Sequence, residues 1–239
     1  MNTSYDNSLK LIKFTPDAIV LLIRRSDARN FSQNWDAALA DAQAVLSLSV
    51  DDEKGMYQAC RALYGLRRFE ECHALMRRFV SLYPTNRDVN IQLCEQRLNE
   101  QKGHYDFGAM LDEAVEKSPN PNMDRGDYIG PVEIRPCVIK SHGRGLFTQK
   151  AVKAGELLAV EKAFSAAFPD DEDAQAPLDP ETGLRSSKDL SKLHAELATS
   201  TFIKLHRNKS LVPAFTDLYC GFEGGLKMEK DIALPFVDE

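Results

Sequence analysis

Residues 35–48 read WDAALADAQAVLSL and residues 69–82 read FEECHALMRRFVSL. Laid over each other at a shift of 34 residues, Trp35 meets Phe69, Asp36 meets Glu70, Ala38 meets Cys72, Ala42 meets Met76, Val45 meets Phe79 and Leu48 meets Leu82. In both copies an aromatic residue opens the segment, and small or apolar residues recur at i, i+3, i+4 and i+7. That spacing gathers side chains on one face of an α-helix, which must then find a neighbour to stack on.

Working outward, Met56, Ala59, Cys60 and Leu63 form the apolar stripe of a helix that precedes the second copy. Gly65 falls at the turn and Pro84 ends the unit, so residues 54–83 are read as an antiparallel helix pair. A two-helix unit with this period resembles the tetratricopeptide (TPR) repeat. Upstream, residues 16–29 can form a helix, but Arg25, Ser26 and Arg29 stand where a repeat wants small or apolar side chains. The first helix is therefore expected to be frayed or cut short. Residues 87–101, with Val89, Ile91, Leu93, Cys94 and Leu98, read as a capping helix, because a stack of repeats needs a terminal unit with one polar face. The resemblance implies a concave groove for a protein or peptide. Arg67, Arg68, Arg77 and Arg78 are its contacts for an acidic tail on the functional reading, and a solvated basic face on the ordinary one.

Phe107, Met110, Leu111, Ala114 and Val115 mark one more amphipathic helix within residues 104–117. The stretch SPNPNMDRGDYIGP that follows is dense in Pro, Asn, Gly and Asp, which places a boundary near residues 118–130. Beyond it the periodicity changes to short extended runs, VEIRPCVI, GLFT and ELLAVEKAF, separated by GR and AG turn elements. These predict a small β unit of about three strands, with Val132, Ile134 and Val138 in partial alternation.

Within that unit, Ser141-His142-Gly143-Arg144-Gly145-Leu146-Phe147-Thr148, followed by KAVKAGELL at residues 150–158, closely resembles the opening motif of SET domains. The order of helix stack, linker and SET opening resembles TPR–SET proteins of the fungal type. So do the later blocks Leu205–Leu211 and Phe215–Tyr219, and the likeness covers about residues 35–235. The resemblance implies an S-adenosylmethionine-dependent protein-lysine methyltransferase family. It also implies that the backbone of Gly143, Arg144 and Gly145 packs against the cofactor, where a Cβ would block close approach. The Asp-, Pro- and Ser-rich residues 170–188 read as a mobile loop entering the helical insertion that shapes the substrate side, with helices near 188–207 and 212–219.

The late motifs of that family are missing from these 239 residues. Methyl transfer needs a deprotonated lysine amine held in line with the sulfonium methyl, and the family supplies most of that positioning late in its domain. No Asn-His-Ser/Cys motif, Gly-Glu-Glu-like turn or matching tyrosine occurs. Asn208 follows His206-Arg207 in the wrong order, and Tyr219 sits in a helix-like TDLY block. Cys220 is the sole cysteine after Cys137, whereas a zinc site wants four clustered ligands, so no catalytic or metal residue is assigned. The expected fold is α+β, mainly α: a TPR-like region over 1–101, a helix and linker over 102–130, and a partial SET unit with its helical insertion over 131–239. Three functional readings follow. The chain is a SET-family protein without activity of its own, a noncatalytic TPR-type adaptor carrying a SET remnant, or a methyltransferase completed by another chain.

Composition bounds the rest. A hydrophobic share of 43%, a charged share of 28% and a mean hydropathy of -0.36 describe a folded chain. The net charge of -6 gives no global attraction to nucleic acid or to an anionic membrane. Five scattered cysteines without a CxxC read as reduced core thiols, and the amino-terminal residues lack the apolar core of a signal peptide. An intracellular protein, cytoplasmic or nuclear, is expected. His73, His104, His142 and His194 have no acid or nucleophile at motif spacing and receive no role.

Overall fold

The computed structural model describes residues 16–86, 88–118, 122–137, 143–168 and 187–217. Among these, helices α1 (Pro16–Phe31), α2 (Trp35–Leu48), α3 (Glu53–Gly65), α4 (Phe69–Leu82), α5 (Ile91–Glu100) and α6 (Phe107–Glu116) precede any strand. Strands β1 (Tyr128–Ile129), β2 (Val132–Pro136), β3 (Arg144–Thr148) and β4 (Ala159–Val160) follow. Helix α7 (Ser187–Arg207), a 3-10 turn (Lys209–Leu211) and the short α8 (Val212–Thr216) come last. The architecture is α+β and mainly α, as the periodicity indicates.

The 34-residue period is written into the backbone as well as the side chains. Gln33 and Arg67, 34 positions apart, are the two non-glycine residues with positive φ among the described residues, at 59° and 62°. Each turns the chain between helices, and the next N–H reaches back to the preceding helix: Asn34 to the Arg29 carbonyl at 2.8 Å, Arg68 to the Leu63 carbonyl at 3.0 Å. An L-residue in this conformation costs roughly 1 kcal/mol, so the repeated strain is stabilised by the helix packing it permits. The core lies between α2, α3 and α4, where Ala38, Ala42, Ala59, Cys60, Phe69 and Cys72 are buried together. Trp35 lies flat against the bare Cα of Gly65: a Cβ there would come within 2.3 Å of the indole Nε1.

The expectation of a frayed first helix is corrected. Helix α1 is whole, because its misplaced polar residues are answered from α2. Arg25 and Arg29 grip the buried Asp41 carboxylate at 2.5 and 2.6 Å, and the fully buried Ser26 hydroxyl donates to the Ala38 carbonyl at 2.8 Å. At the equivalent places in the second repeat stand Ala59, Leu63 and Leu75. One repeat therefore closes on two arginines and an aspartate where the next closes on three apolar side chains.

Residues 122–127, read as linker, are bound to the stack. The buried Arg97 pairs with Glu100 at 2.9 Å and also donates to the Asp124 carbonyl. Glu100 accepts the Gly126 N–H at 2.5 Å, and a Cβ on Gly126 would lie 2.5 Å from the Arg97 carbonyl. Asp127 joins Arg67 at 2.9 Å and accepts the Lys162 N–H at 2.7 Å, connecting the repeats to the strand region.

The described residues hold four short strands in two antiparallel pairs, where about three strands are expected. β1 pairs with β4, while β2 and β3 form a hairpin in which Ile134 faces Leu146 and Arg135 faces Gly145. Ile134 and Leu146 are 67% and 61% exposed, so the hairpin presents an apolar face that nothing among the described residues covers. Val138 lies outside the described residues. Helices are expected near 188–207 and 212–219, and α7 and α8 stand there; most of the 170–188 segment, together with Tyr219 and Cys220, also lies outside the described residues.

Candidate functional site

Gly143, Arg144 and Gly145 open β3. Gly143 adopts φ 65°, a conformation that favours glycine, and its carbonyl accepts the Cys137 N–H at 2.8 Å. A Cβ on Gly145 would meet the Cys137 sulfur at 3.0 Å and the Phe147 ring at 3.1 Å. Arg144 pairs with Asp217 at 3.0 Å and donates to its carbonyl. Both glycines are thus accounted for by the turn and by the chain's own packing. Neither they nor Arg144 lines either of the two cavities described below. His142, and with it the turn that would close the motif, lies outside the described residues.

The larger cavity, about 510 Å³, lies where α2, α6 and α7 meet residues 122–125 and the chain leaving β4. Its wall combines Trp35, Met110, Met123, Phe164 and Phe168 with Gln33, Lys162, Ser200 and Lys204. Two capping contacts hold α7 against α2. Asn208, fully buried, accepts the N–H groups of Trp35 and Asp36 at 2.7 and 3.2 Å and donates to the Gln33 carbonyl at 2.9 Å. Asp36 replies by accepting the Ser210 N–H and hydroxyl at 2.8 and 2.7 Å. Each helix start thus receives its cap from the other segment. The block 205–211, first noted for its family likeness, is in this structure the fastening between α7 and the repeats.

Lys204 reaches the cavity from α7, donating to the Phe164 carbonyl at 2.5 Å with its ammonium 4.2 Å from that ring centroid. Burial, and then the neighbouring Lys162 and Arg67, hold its pKa below the ordinary lysine value. Neither Lys204 nor Lys162 belongs to a motif of the sequence. Lys204 is marked in the sequence only as a lysine within a helix, whose partner the sequence does not name, and Lys162 only as a lysine in the chain that leaves β4.

The second cavity, about 350 Å³, lies among the first five helices, lined by Trp35, Tyr57, Arg61, Tyr64, Met76 and Leu93 among others. The expected arginine contacts do not line it. Arg67 is engaged by Asp127 and the Arg125 carbonyl, Arg68 by Glu71, and Arg78 by Asp51. Arg77 is exposed on α4. Arg67 and Arg68 lie just before α4 and Arg77 and Arg78 in its second half; three of the four, Arg67, Arg68 and Arg78, stand in intramolecular pairs. The cation that lines this cavity is Arg61, 5.7 Å from the Tyr57 ring and paired with Asp27 at 2.5 Å. Trp35 lines both cavities.

Among the described residues, no three His, Cys, Asp or Glu side chains gather as a metal ion requires. His73 meets Glu95 at 3.3 Å on the surface of the stack. No helix among them is long and apolar enough to cross a membrane.

Among curated proteins, the chain is 35% identical over 205 residues to a protein named "Methyltransferase" from Gibberella zeae; the match covers 84% of this chain and 28% of that protein. It is 29% identical over 124 residues to "Protein unc-45 homolog B" of Xenopus tropicalis, and 29% over 114 residues to the Xenopus laevis protein of the same name. Each match covers 47% of this chain, and 13% and 12% of the respective relatives. The chain thus spans between about an eighth and less than a third of the length of the relatives it matches. No family model and no solved structure matches.

Proposed function

We propose that this chain is the protein-binding and opening portion of a SET-type, S-adenosylmethionine-dependent lysine methyltransferase, and that its 239 residues do not transfer methyl groups on their own. The observation that carries the reading is the similarity, over most of the chain, to a protein named a methyltransferase. The repeat groove supports the interaction half: an apolar trough edged by Tyr57, Arg61 and Tyr64 suits an extended or helical peptide. The sequence supports the inactivity: it contains the GRG turn but neither the Asn-His-Ser/Cys motif nor the tyrosine that the resemblance calls for.

Calorimetric titration of S-adenosylmethionine into the purified chain is the test. No binding heat and no methylation of a histone or total-lysate acceptor are expected. Micromolar binding would overturn the claim that the late motifs are required, and methyl transfer would overturn the assignment of inactivity. The second reading, an adaptor that uses the groove alone, is favoured by the tightness with which residues 122–127 and α7 are fastened to the repeats. It predicts that groove substitutions at Tyr57 and Arg61 abolish partner capture without reference to any cofactor.

A further inference from the structure

The cavity between the repeats and α7 has a feature that packing does not explain. Lys204 is half removed from water, yet among the described residues no carboxylate pairs with it: its partners are the Phe164 carbonyl and the Phe164 ring. Asp127 is the acid whose field reaches it, but that carboxylate is already held by Arg67 at 2.9 Å and by the Lys162 N–H at 2.7 Å. Lys162 lines the same cavity and adds a second positive charge, its own ammonium 3.5 Å from Asp124. A partly desolvated ammonium without a counter-ion costs free energy, and an anion entering from solvent relieves that cost. The wall also holds Arg125, itself paired with Glu113, and one carboxylate, the exposed Glu161; the remainder mixes Trp35, Met110, Met123, Phe164 and Phe168 with polar side chains, and about 510 Å³ is within the range of small-molecule sites.

We propose that this cavity binds a small organic carboxylate, its anionic end at Lys204 and its apolar body against Trp35, Phe164 and Phe168. The site differs from the GRG turn, whose residues do not line it, and the inference stands whether or not the chain binds S-adenosylmethionine.

Trp35 is the one tryptophan in the chain and lies in the cavity wall, so its emission reports occupancy. Phenylacetate and its uncharged isostere phenylacetamide are titrated at constant ionic strength. Phenylacetate is expected to give a saturable change in emission, with phenylacetamide at least about tenfold weaker. In Lys204→Gln, which keeps a side-chain N–H donor but removes the charge, the acid is expected to fall to the level of the amide. In Ser200→Phe, which fills the cavity from an exposed helix position, both are expected to lose binding, with circular dichroism reporting that each variant folds. Equal affinity for the two probes, no loss in Lys204→Gln, or no saturable signal from either probe would overturn the proposal. Displacement of phenylacetate by S-adenosylmethionine would overturn the claim that the site is separate from that cofactor.

Discussion

The side-chain oxygen of Asn208 accepts the backbone N–H of Trp35 at 2.7 Å, so helix α2 is capped by a residue 173 positions further along the chain. The residue locally placed to cap it, Asn34, makes no side-chain cap bond. Helix starts leave several N–H groups unsatisfied, and here a distant loop supplies the acceptor that the preceding residue does not. Because Asp36 in turn accepts from Ser210, the junction ties Gln33, Trp35 and Asp36 on one side to Asn208 and Ser210 on the other.

Removing that acceptor should loosen the junction more than an ordinary cap. Asn208→Ala deletes the cap, worth about 1 kcal/mol, and leaves buried N–H groups unsatisfied, at about 1–3 kcal/mol. A total loss of about 2–4 kcal/mol is expected in urea unfolding. Protease cleavage within α7 should appear before cleavage in the repeats. A loss below about 0.5 kcal/mol, with α7 still protected, would show that the apolar contacts of Leu205 suffice without the cap.

The substitution of a charged trio for an apolar one between repeats is directly testable. Asp41→Leu introduces the second repeat's residue and removes the carboxylate that Arg25 and Arg29 share, so it should destabilise by roughly 3 kcal/mol, as breaking a buried ion pair does. The triple variant Arg25→Ala, Arg29→Leu, Asp41→Leu copies Ala59, Leu63 and Leu75. It should regain most of the loss, since well-packed apolar replacements of buried ion pairs are often neutral or stabilising. Denaturant midpoints for the single and triple variants decide the matter, and a triple no better than the single would refute the equivalence of the two repeats.

The same trio shows how far the sequence carries the fold. The 34-residue overlay identifies the paired helices to within a residue or two, because Phe69, Cys72, Met76 and Phe79 sit on one face and all are buried. Arg25 and Arg29 mislead when read alone, since their compensation is Asp41, and nothing local marks an aspartate as a core residue. The linker reads correctly as Gly- and Asp-rich but not as fastened, because Arg97 and Glu100 look like surface residues until Gly126 is seen against them. The GRG turn is legible as a turn. The carboxylate cavity is not, since its walls come from residues between Gln33 and Lys204 that only the fold brings together.

Gly65 offers a sharper probe of the Trp35 contact. A methyl group there would overlap the indole, with Nε1 at 2.3 Å and Cδ1 at 2.5 Å. Gly65→Ala should therefore cost about 1–3 kcal/mol as overpacking, with a shift in tryptophan emission. In a Trp35→Ala background the clash is gone and alanine's better helix propensity, up to about 1 kcal/mol, remains. The sign of the Gly65→Ala effect should then reverse. A same-signed effect in both backgrounds would place the cause in the backbone of Gly65 and not in the indole.

The buried thiols contribute to the pH dependence of the repeat core. Cys72 donates to the Cys60 carbonyl at 3.3 Å and Cys94 to the Phe69 carbonyl at 3.4 Å, both within the core of α3, α4 and α5. The contact with Cys60 and then burial push the Cys72 thiol from 9.0 up to about 12, and the contact with Cys72 together with burial raises that of Cys94 as well. The folded chain therefore keeps protons that the unfolded chain gives up, and stability falls with rising pH wherever the folded state binds more protons. The stabilisation tied to these thiols is fully present below pH 9.0 and is lost progressively toward about 12. Urea midpoints measured near pH 8 and near pH 10 should show a drop, part of it from Tyr105, which burial raises to about 12. The double variant Cys72→Ser, Cys94→Ser keeps both donors but removes the titration. Its drop should be clearly smaller than that of the parent, and an equal drop would assign the alkaline sensitivity to the tyrosines alone.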